Sequence, residues 1–149
     1  MNTSDIVRYL TKDPACNDQL VGVYAKDTLP AVVGNKPALY IVNTDKAAGL
    51  GRHWIVMYFP PDEPAEFFDS LGHSPDFYTT HFVTFLTNNS ESYKYLKIRL
   101  QDFRTETCGH YCIFYCLHRC NGWTLERVVD YFDKYCKTHN DHIVCQLYT

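Results

Sequence analysis

The run from Cys108 to Arg119 constrains the fold more than any other stretch of this chain. Wound as a helix, it is apolar on nearly every side, and such a helix has to lie inside a protein rather than on its surface. Asn121-Gly122 follows directly and is a typical helix terminator. The pattern therefore predicts one central, buried helix around which the rest of the chain packs.

Four short runs of β-branched and aromatic residues predict the strands of a small sheet. They are Ala38–Val42, His53–Phe59, Ala65–Asp69 and Tyr95–Leu100. Only residues 60–65, which begin with Pro60-Pro61, separate the second run from the third, and this spacing predicts a hairpin. The expected fold is α+β, with a small mixed β-sheet packed on the central buried helix.

Three more helices are predicted outside this centre. They cover Ser4 to Thr11 with Ser4 as its cap, Asp76 to Leu86 behind Ser74-Pro75, and Thr124 to Lys137. Residues 17–35 contain two glycines and a proline and are predicted to be loop with short extended pieces. The 149 residues hold no internal repeat, so we expect a single domain, 1–149.

The charge and the cysteine content narrow the possible classes of protein. A formal net charge of -3 argues against a strongly basic nucleic-acid binder. No apolar run is long enough to span a membrane, and the first residues do not resemble a secretory signal. The seven cysteines are an odd number, and four of them, spaced every fourth residue along one helix, are badly placed to pair or to share a metal ion. We therefore expect no metal site and a reduced, intracellular setting.

Cys108 is the first candidate for chemistry, because it begins the apolar helix after a polar loop. A thiol at a helix N-terminus faces the positive end of the helix dipole and unpaired backbone N–H groups, and both favour the reactive thiolate. Gly109 leaves room for a substrate carbonyl to approach the backbone. The alternative, a buried core cysteine with no reaction to perform, stays open on position alone.

A cysteine nucleophile needs a histidine as its base and a group that orients the histidine. His53 stands at the start of a predicted strand after a Gly-containing loop, and Asp69 closes the strand that pairs with it in the predicted hairpin. Gln101, before the loop that leads to Cys108, is placed to offer an amide N–H to a developing oxyanion. Taken singly, each of these three is also an ordinary strand-edge or surface residue.

Together the candidates form a familiar order along the chain. His53-Trp54 is followed by Asp69-Ser70-Leu71-Gly72, by Gln101, and by Cys108-Gly109; upstream, Ile41-Val42-Asn43-Thr44 precedes the loop that ends at Gly51. This arrangement resembles the adenovirus endopeptidases and, in the same clan, the SUMO-specific proteases. The resemblance covers roughly residues 20–112. The helix sequence also resembles proteases of viral-like DNA transposons.

The resemblance implies a cysteine endopeptidase with papain-like site geometry and a permuted chain order. Cys108 would attack the scissile carbonyl, His53 would act as base and then as acid, and Asp69 would hold the imidazole. Gln101 and the backbone N–H of Cys108 would form the oxyanion hole. Gly51, Trp54 and Gly109 would line a narrow substrate cleft that admits small residues, usually glycine, at the cut.

Some residues depart from the adenovirus pattern. Asp69 stands where adenovirus enzymes have glutamate, and Thr107 stands where SUMO proteases favour aspartate. The chain is shorter after the nucleophile helix, and residues 90–95 lack the cysteine that binds an activating viral peptide. We therefore expect no required cofactor and no strong activation by a peptide or by DNA. A small basic patch, Lys94, Lys97, Arg99 and Arg104, is the only candidate contact with nucleic acid.

Three functions remain open at this point. The first is a viral or transposon protease that cuts capsid precursors, acting as a monomer in the virion or the host nucleus. The second is an isopeptidase for SUMO or ubiquitin-like fusions. The third is a catalytically silent binding module on the same fold. All four catalytic positions are filled, which favours an enzyme.

Overall fold

The computed structural model describes all 149 residues and is built on one five-stranded mixed sheet with the strand order β1-β2-β3-β4-β5. Its strands are β1 (Leu20–Ala25), β2 (Ala38–Asn43), β3 (Trp54–Phe59), β4 (Ala65–Phe68) and β5 (Tyr93–Tyr95). The central pairs β2·β3 and β3·β4 are antiparallel, whereas the edge pairs β1·β2 and β4·β5 are parallel. The predicted hairpin of β3 and β4 is confirmed.

Six α-helices surround the sheet. They are α1 (Thr3–Lys12), α2 (Pro14–Gln19), α3 (Thr80–Asn89), α4 (Cys108–Cys120), α5 (Leu125–Asp130) and α6 (Lys137–Leu147), and a single 3₁₀ turn spans Pro75–Phe77. A bilayer-spanning helix would need more length and more apolar character than any of these has.

The central strands β2, β3 and β4 are buried on both faces because helices cover each side of the sheet. Alternate residues of β2 and β3, such as Ile41 and Val56, join α1 and α4 in the main core. Their neighbours, such as Tyr40 and Met57, join Phe82 of α3 in a second core on the opposite face. Two buried faces explain why these strands are continuous apolar runs instead of alternating ones. The predicted α+β fold with α4 at its centre is confirmed.

The N-terminal third contains a helix that the sequence analysis missed. Asp13 accepts a 3.0 Å hydrogen bond from the backbone N–H of Cys16 and so caps α2, with Pro14 as its first residue. The predicted loop therefore begins with helix through Gln19. The cap of α1 is Asn2 and not Ser4, because Asn2 and Asp5 exchange side-chain and backbone hydrogen bonds in a capping box.

Three later predictions were wrong in their extent. The helix expected from Asp76 begins only at Thr80, because the hydroxyl of Thr79 caps it there. The strand expected over 95–100 ends at Tyr95; its apolar residues pack inward, but the backbone N–H of Leu100 bonds to the carbonyl of Ser70 instead of extending a ladder. The helix expected from Thr124 to Lys137 is α5 and ends at Asp130, and α6, which begins at Lys137, was not predicted.

Candidate active site

Three elements bring the predicted nucleophile, base and carboxylate to one place. His53 immediately precedes β3, Asp69 immediately follows β4, and the antiparallel pairing of these strands sets the two ends side by side. Cys108 is the first residue of α4, which packs across β3. All three side chains are largely withdrawn from solvent: the exposed fractions of the residues are 8% for His53, 0% for Asp69 and 7% for Cys108.

Hydrogen bonds to the side chain of Asn43 hold the loop that precedes His53. The side-chain oxygen of Asn43 accepts hydrogen bonds from the backbone N–H groups of Asp45 (2.9 Å) and Arg52 (3.2 Å). The backbone N–H of Thr44 also donates to the carbonyl of His53 at 2.8 Å. These contacts give a physical reason for an asparagine before the loop. They also fix the position of the His53 backbone, from which the imidazole extends.

Asp69 accepts hydrogen bonds on both carboxylate oxygens. Nε2 of His53 lies 2.6 Å from Oδ1, and the backbone N–H of Leu71 donates to the same oxygen at 2.9 Å. The hydroxyl of Tyr78 donates to Oδ2. A carboxylate held on both sides by donors has one orientation, so the imidazole bound to it is oriented as well.

The thiol of Cys108 and the imidazole of His53 line the same cavity, and each shifts the pKa of the other. Since Nε2 is engaged by Asp69, Nδ1 is the ring nitrogen that remains for the thiol. Burial lowers the pKa of His53, but the hydrogen bonds and the charges of Asp69 and Cys108 outweigh it and raise the pKa to about 9.

The pKa of Cys108 is lowered, in contrast to that of His53. Burial alone raises the pKa of this thiol, but the hydrogen bond and charge of His53 and the backbone N–H groups of Trp54 and Gly109 bring the pKa below the ordinary value of 9.0. Cys112, one turn further along α4, has none of these partners, and burial raises its pKa well above 9.0. The site therefore favours a thiolate–imidazolium pair at Cys108 and a neutral thiol at Cys112.

Tyr78 belongs to the site and was missed by the sequence analysis, which placed it inside a surface helix. It lies just after the 3₁₀ turn, and its ring faces that of His53 with centroids 5.8 Å apart. Burial and the neighbouring Asp69 raise the pKa of its hydroxyl far above 10.0, so the hydroxyl stays protonated and remains a donor. No sequence signal identifies this contact, because it depends on the turn that returns residue 78 to the strand end.

The side chain of Gln101 has a single orientation. The hydroxyl of Ser70 donates to Oε1 at 2.6 Å, and Nε2 donates to the carbonyl of Thr105 at 2.9 Å. Because a carbonyl accepts only, the amide nitrogen has to face Thr105, and its second N–H has no closer partner than the Thr105 hydroxyl, 3.5 Å away. Gln101 lines the same cavity as Cys108 and His53.

A buried carboxylate on α6 anchors the loop between Gln101 and Cys108. Asp141 accepts hydrogen bonds from the hydroxyls of Thr105 (3.0 Å), Thr107 (3.1 Å) and Tyr111 (2.6 Å), and from the backbone N–H of Asp102 (3.3 Å). Four donors satisfy this carboxylate without a cation. The C-terminal helix, which was not predicted, thus positions the loop that ends at the nucleophile.

The three residues expected to line the substrate cleft lie beside the cavity of Cys108. Gly51, with a φ of +76°, and Trp54 line a neighbouring cavity of about 400 Å³ together with Met1. The Met1 side chain also lies against Gly109, 3.3 Å from where a Cβ would stand, and the Met1 carbonyl accepts a 3.3 Å hydrogen bond from the indole of Trp54. The N-terminal residues thus cover this side of the site.

The cavity that contains Cys108 and His53 has a volume of about 490 Å³ and opens to solvent. Its walls carry both charges and apolar side chains: Lys26, Asp45, Arg52 and Glu106 among the first, Leu71, Phe77 and Phe103 among the second. Such a mixed, open surface suits a polypeptide better than a small apolar ligand. No group of three or more His, Cys, Asp or Glu side chains is arranged to hold a metal ion, and all seven cysteines are free.

Comparison with known proteins adds one structural likeness. No protein-family model matches the chain, and no curated protein matches it. Among solved structures, it is similar to the ASFV pS273R protease, with a TM-score of 0.46 and 21% sequence identity. The match covers 74% of this chain and 44% of that protein, so this chain spans less than half its length. The assignment of a function therefore rests on the geometry of the side chains described above.

Proposed function

We propose that the protein is a cysteine endopeptidase with Cys108 as nucleophile, His53 as acid and base, and Asp69 as the residue that orients His53. One observation carries the proposal: the thiol at the start of α4 shares a cavity with an imidazole whose Nε2 lies 2.6 Å from a fully buried carboxylate, and that imidazole lowers the pKa of the thiol. Three groups in this relation form a nucleophile, a base and an orienting group.

The proposed reaction has two halves. The thiolate of Cys108 adds to the carbonyl carbon of a peptide bond, and the bond to nitrogen then breaks as the imidazolium of His53 protonates the leaving amine. Water next attacks the resulting thioester while His53 takes its proton. The thioester breaks to give the new carboxyl terminus, and the thiolate and imidazolium are restored.

The oxyanion of each tetrahedral intermediate would be held by the backbone N–H of Cys108 and by the remaining N–H of Gln101. The first lies at the N-terminus of α4, where backbone donors have no helical partner. The second is fixed by Ser70 and Thr105, so no reorganisation is needed when charge develops.

The proposed substrate is a polypeptide with small residues, glycine among them, at the cleaved bond. Support comes from the N-terminus: the Met1 side chain lies 3.3 Å from where a Cβ of Gly109 would stand, and the Met1 carbonyl is bonded to Trp54, so the site is narrowed beside Cys108. Capsid precursors are the proposed natural substrates, and ubiquitin-like fusions ending in Gly-Gly are the alternative that the same cleft chemistry admits.

The test is cleavage of two substrate sets by the purified protein: Gly-containing peptides and a ubiquitin-like fusion. We expect turnover that is abolished in Cys108→Ala and retained in the matched control Cys112→Ala, which removes another buried thiol from α4. Cleavage of the fusion alone would replace the endopeptidase proposal with an isopeptidase. Undiminished cleavage by Cys108→Ala would refute both.

A further inference from the structure

A further cavity, distinct from the one lined by Gly51 and Trp54, adjoins the candidate active site and differs from it in charge. Phe103 lines both cavities, and 71% of this residue is exposed. The second cavity, of about 460 Å³, carries four basic side chains and one carboxylate, a net charge of +3 in a chain whose formal charge is -3. We call it the basic groove, and its charged residues are Arg99, Arg104, Lys134, Lys137 and Asp102.

Three of these cations form no direct salt bridge, although the charges of Arg99 and Lys137 help to lower the pKa values of Asp102 and Asp133. Arg104 is held by Asp102 through two hydrogen bonds, of 3.1 and 2.8 Å, and this contact brings the pKa of Asp102 to about 2. Arg99, Lys134 and Lys137 form no salt bridge within 4.0 Å. Their charge is therefore available to a ligand that approaches from solvent.

Where the two cavities meet, two arginine side chains lie beside the aromatic ring of Phe103. The guanidinium of Arg99 lies 5.3 Å from the ring centroid of Phe103, and that of Arg104 lies 5.9 Å from it. Arg99 also donates to the carbonyl of Gln101 at 3.3 Å. Arg99 is thus fixed in place next to the proposed oxyanion hole, so it meets a ligand without first losing much side-chain freedom.

The groove lies within reach of a substrate bound at Cys108. Phe103 stands five positions before Cys108 in the sequence, so their Cα atoms are at most about 18 Å apart at roughly 3.5 Å per residue. An extended substrate covers that distance with about five residues. A chain with its scissile bond at Cys108 can therefore pass Phe103 and place its next side chains in the groove.

We infer that the basic groove binds acidic side chains of the polypeptide substrate, a few residues from the cleaved bond. This inference rests on the proposed function, because it assigns both cavities to one bound chain. The shared residue Phe103 favours a single occupant for the two cavities, and the chain's negative net charge disfavours a long polyanion such as DNA. The groove thereby makes substrate choice depend on carboxylates as well as on small residues.

The experiment is a carboxylate scan of a cleavable Gly-containing peptide. One Glu is placed at each position up to six residues before and after the scissile bond, with Gln at the same position as the matched neutral peptide. We expect Glu to lower KM roughly three- to tenfold at one or two neighbouring positions on one side only, the range for a carboxylate meeting one or two exposed cations. The kcat should not change, and high salt should remove the preference.

A pair of double variants assigns the preference to the groove. Lys134→Gln with Lys137→Gln should remove most of the preference for Glu, because two of the four cations of the groove are lost. Lys12→Gln with Lys97→Gln removes the same charge from exposed residues outside both cavities and should keep the preference. Equal KM values for Glu and Gln peptides at every position, or equal loss in both double variants, would overturn the inference.

A binding measurement keeps the inference testable without turnover. The Cys108→Ala protein is titrated with fluorescent Glu and Gln peptides and with a short DNA duplex, and anisotropy is recorded. Tighter binding of the Glu peptide that depends on Lys134 and Lys137 supports the groove even if the wild-type protein cleaves nothing, which would refute only the proposed function. Binding of DNA through these lysines with no preference for Glu peptides would make the groove a nucleic-acid site and overturn the inference.

Discussion

The hydroxyl of Ser70 donates a 2.6 Å hydrogen bond to the side-chain oxygen of Gln101, and both residues are buried. This contact turns the amide nitrogen of Gln101 toward Thr105 and the cavity of Cys108. It joins the strand end that carries Asp69 to the loop that precedes the nucleophile.

Replacement of Gln101 by alanine should lower kcat roughly 10²–10³-fold, the usual loss for one oxyanion-hole donor. The KM should change little, because the missing interaction forms only in the transition state. Steady-state kinetics with a Gly-containing peptide measure both constants. Ser70→Ala serves as the comparison: it keeps the amide but not its orientation, and we expect a smaller loss of roughly tenfold, as for one hydrogen bond of about 1.4 kcal/mol. A loss below threefold in Gln101→Ala would rule out the oxyanion role.

The pH profile of kcat/KM should reflect the thiolate–imidazolium pair. The pKa of His53 is raised to about 9, so the imidazolium persists at neutral pH and is lost only as the pH rises through about 9. The pKa of Cys108 is lowered, so the acid limb lies below the ordinary thiol value of 9.0. Activity should therefore form a bell whose alkaline limb falls near pH 9.

Asp69→Asn provides the control for that assignment. It removes a charge that raises the pKa of His53, so the alkaline limb should move to lower pH. An alkaline limb that stays in place in this variant would show that another group controls it.

Replacement of Tyr78 by phenylalanine should lower kcat roughly tenfold, because it removes a hydrogen bond to a charged group worth about 1.5 kcal/mol or more. The ring that faces His53 is kept, so KM and the melting temperature should change much less than kcat. Kinetics and thermal unfolding of the same preparation separate these effects. A change in kcat of less than twofold would mean that Tyr78 does not help to orient Asp69.

Replacement of Asp141 by alanine should destabilise the fold by about 3 kcal/mol or more, because four donors lose their acceptor and three of them are side-chain hydroxyls. Urea unfolding measures the change in free energy. Asp130→Asn, an exposed position on α5, is the control and should stay within about 0.5 kcal/mol of wild type. Equal stability of the Asp141→Ala and wild-type proteins would contradict the anchoring role of α6.

Much of the fold is visible in the sequence where burial dictates residue type. The apolar run of α4 and the strands β2, β3 and β4 could be predicted because helices cover both faces of the sheet. Helix caps are harder to predict from the sequence. Asp13 is both the C-cap of α1 and the N-cap of α2, so α2 could be taken for a loop.

Some residues of the candidate site can also be identified from the sequence, and others cannot. His53, Asp69 and Cys108 are named by their chain order and by the strand and helix ends they occupy. Tyr78 and Asp141 act through contacts that depend on tertiary structure alone. A 3₁₀ turn places Tyr78 next to Asp69, and the C-terminal helix places Asp141 next to Tyr111. A single sequence carries no periodic signal for either contact.

The most direct test of the central claim is the ultraviolet absorbance of thiolates as a function of pH, compared between the wild-type protein and Cys108→Ala. The account predicts that the two titrations differ by a single thiolate, which forms below the ordinary value of 9.0 in the wild type and at higher pH in His53→Ala. Identical titrations of the wild type and Cys108→Ala below pH 9.0 would show that this thiol is not activated, and the proposed nucleophile would have to be abandoned.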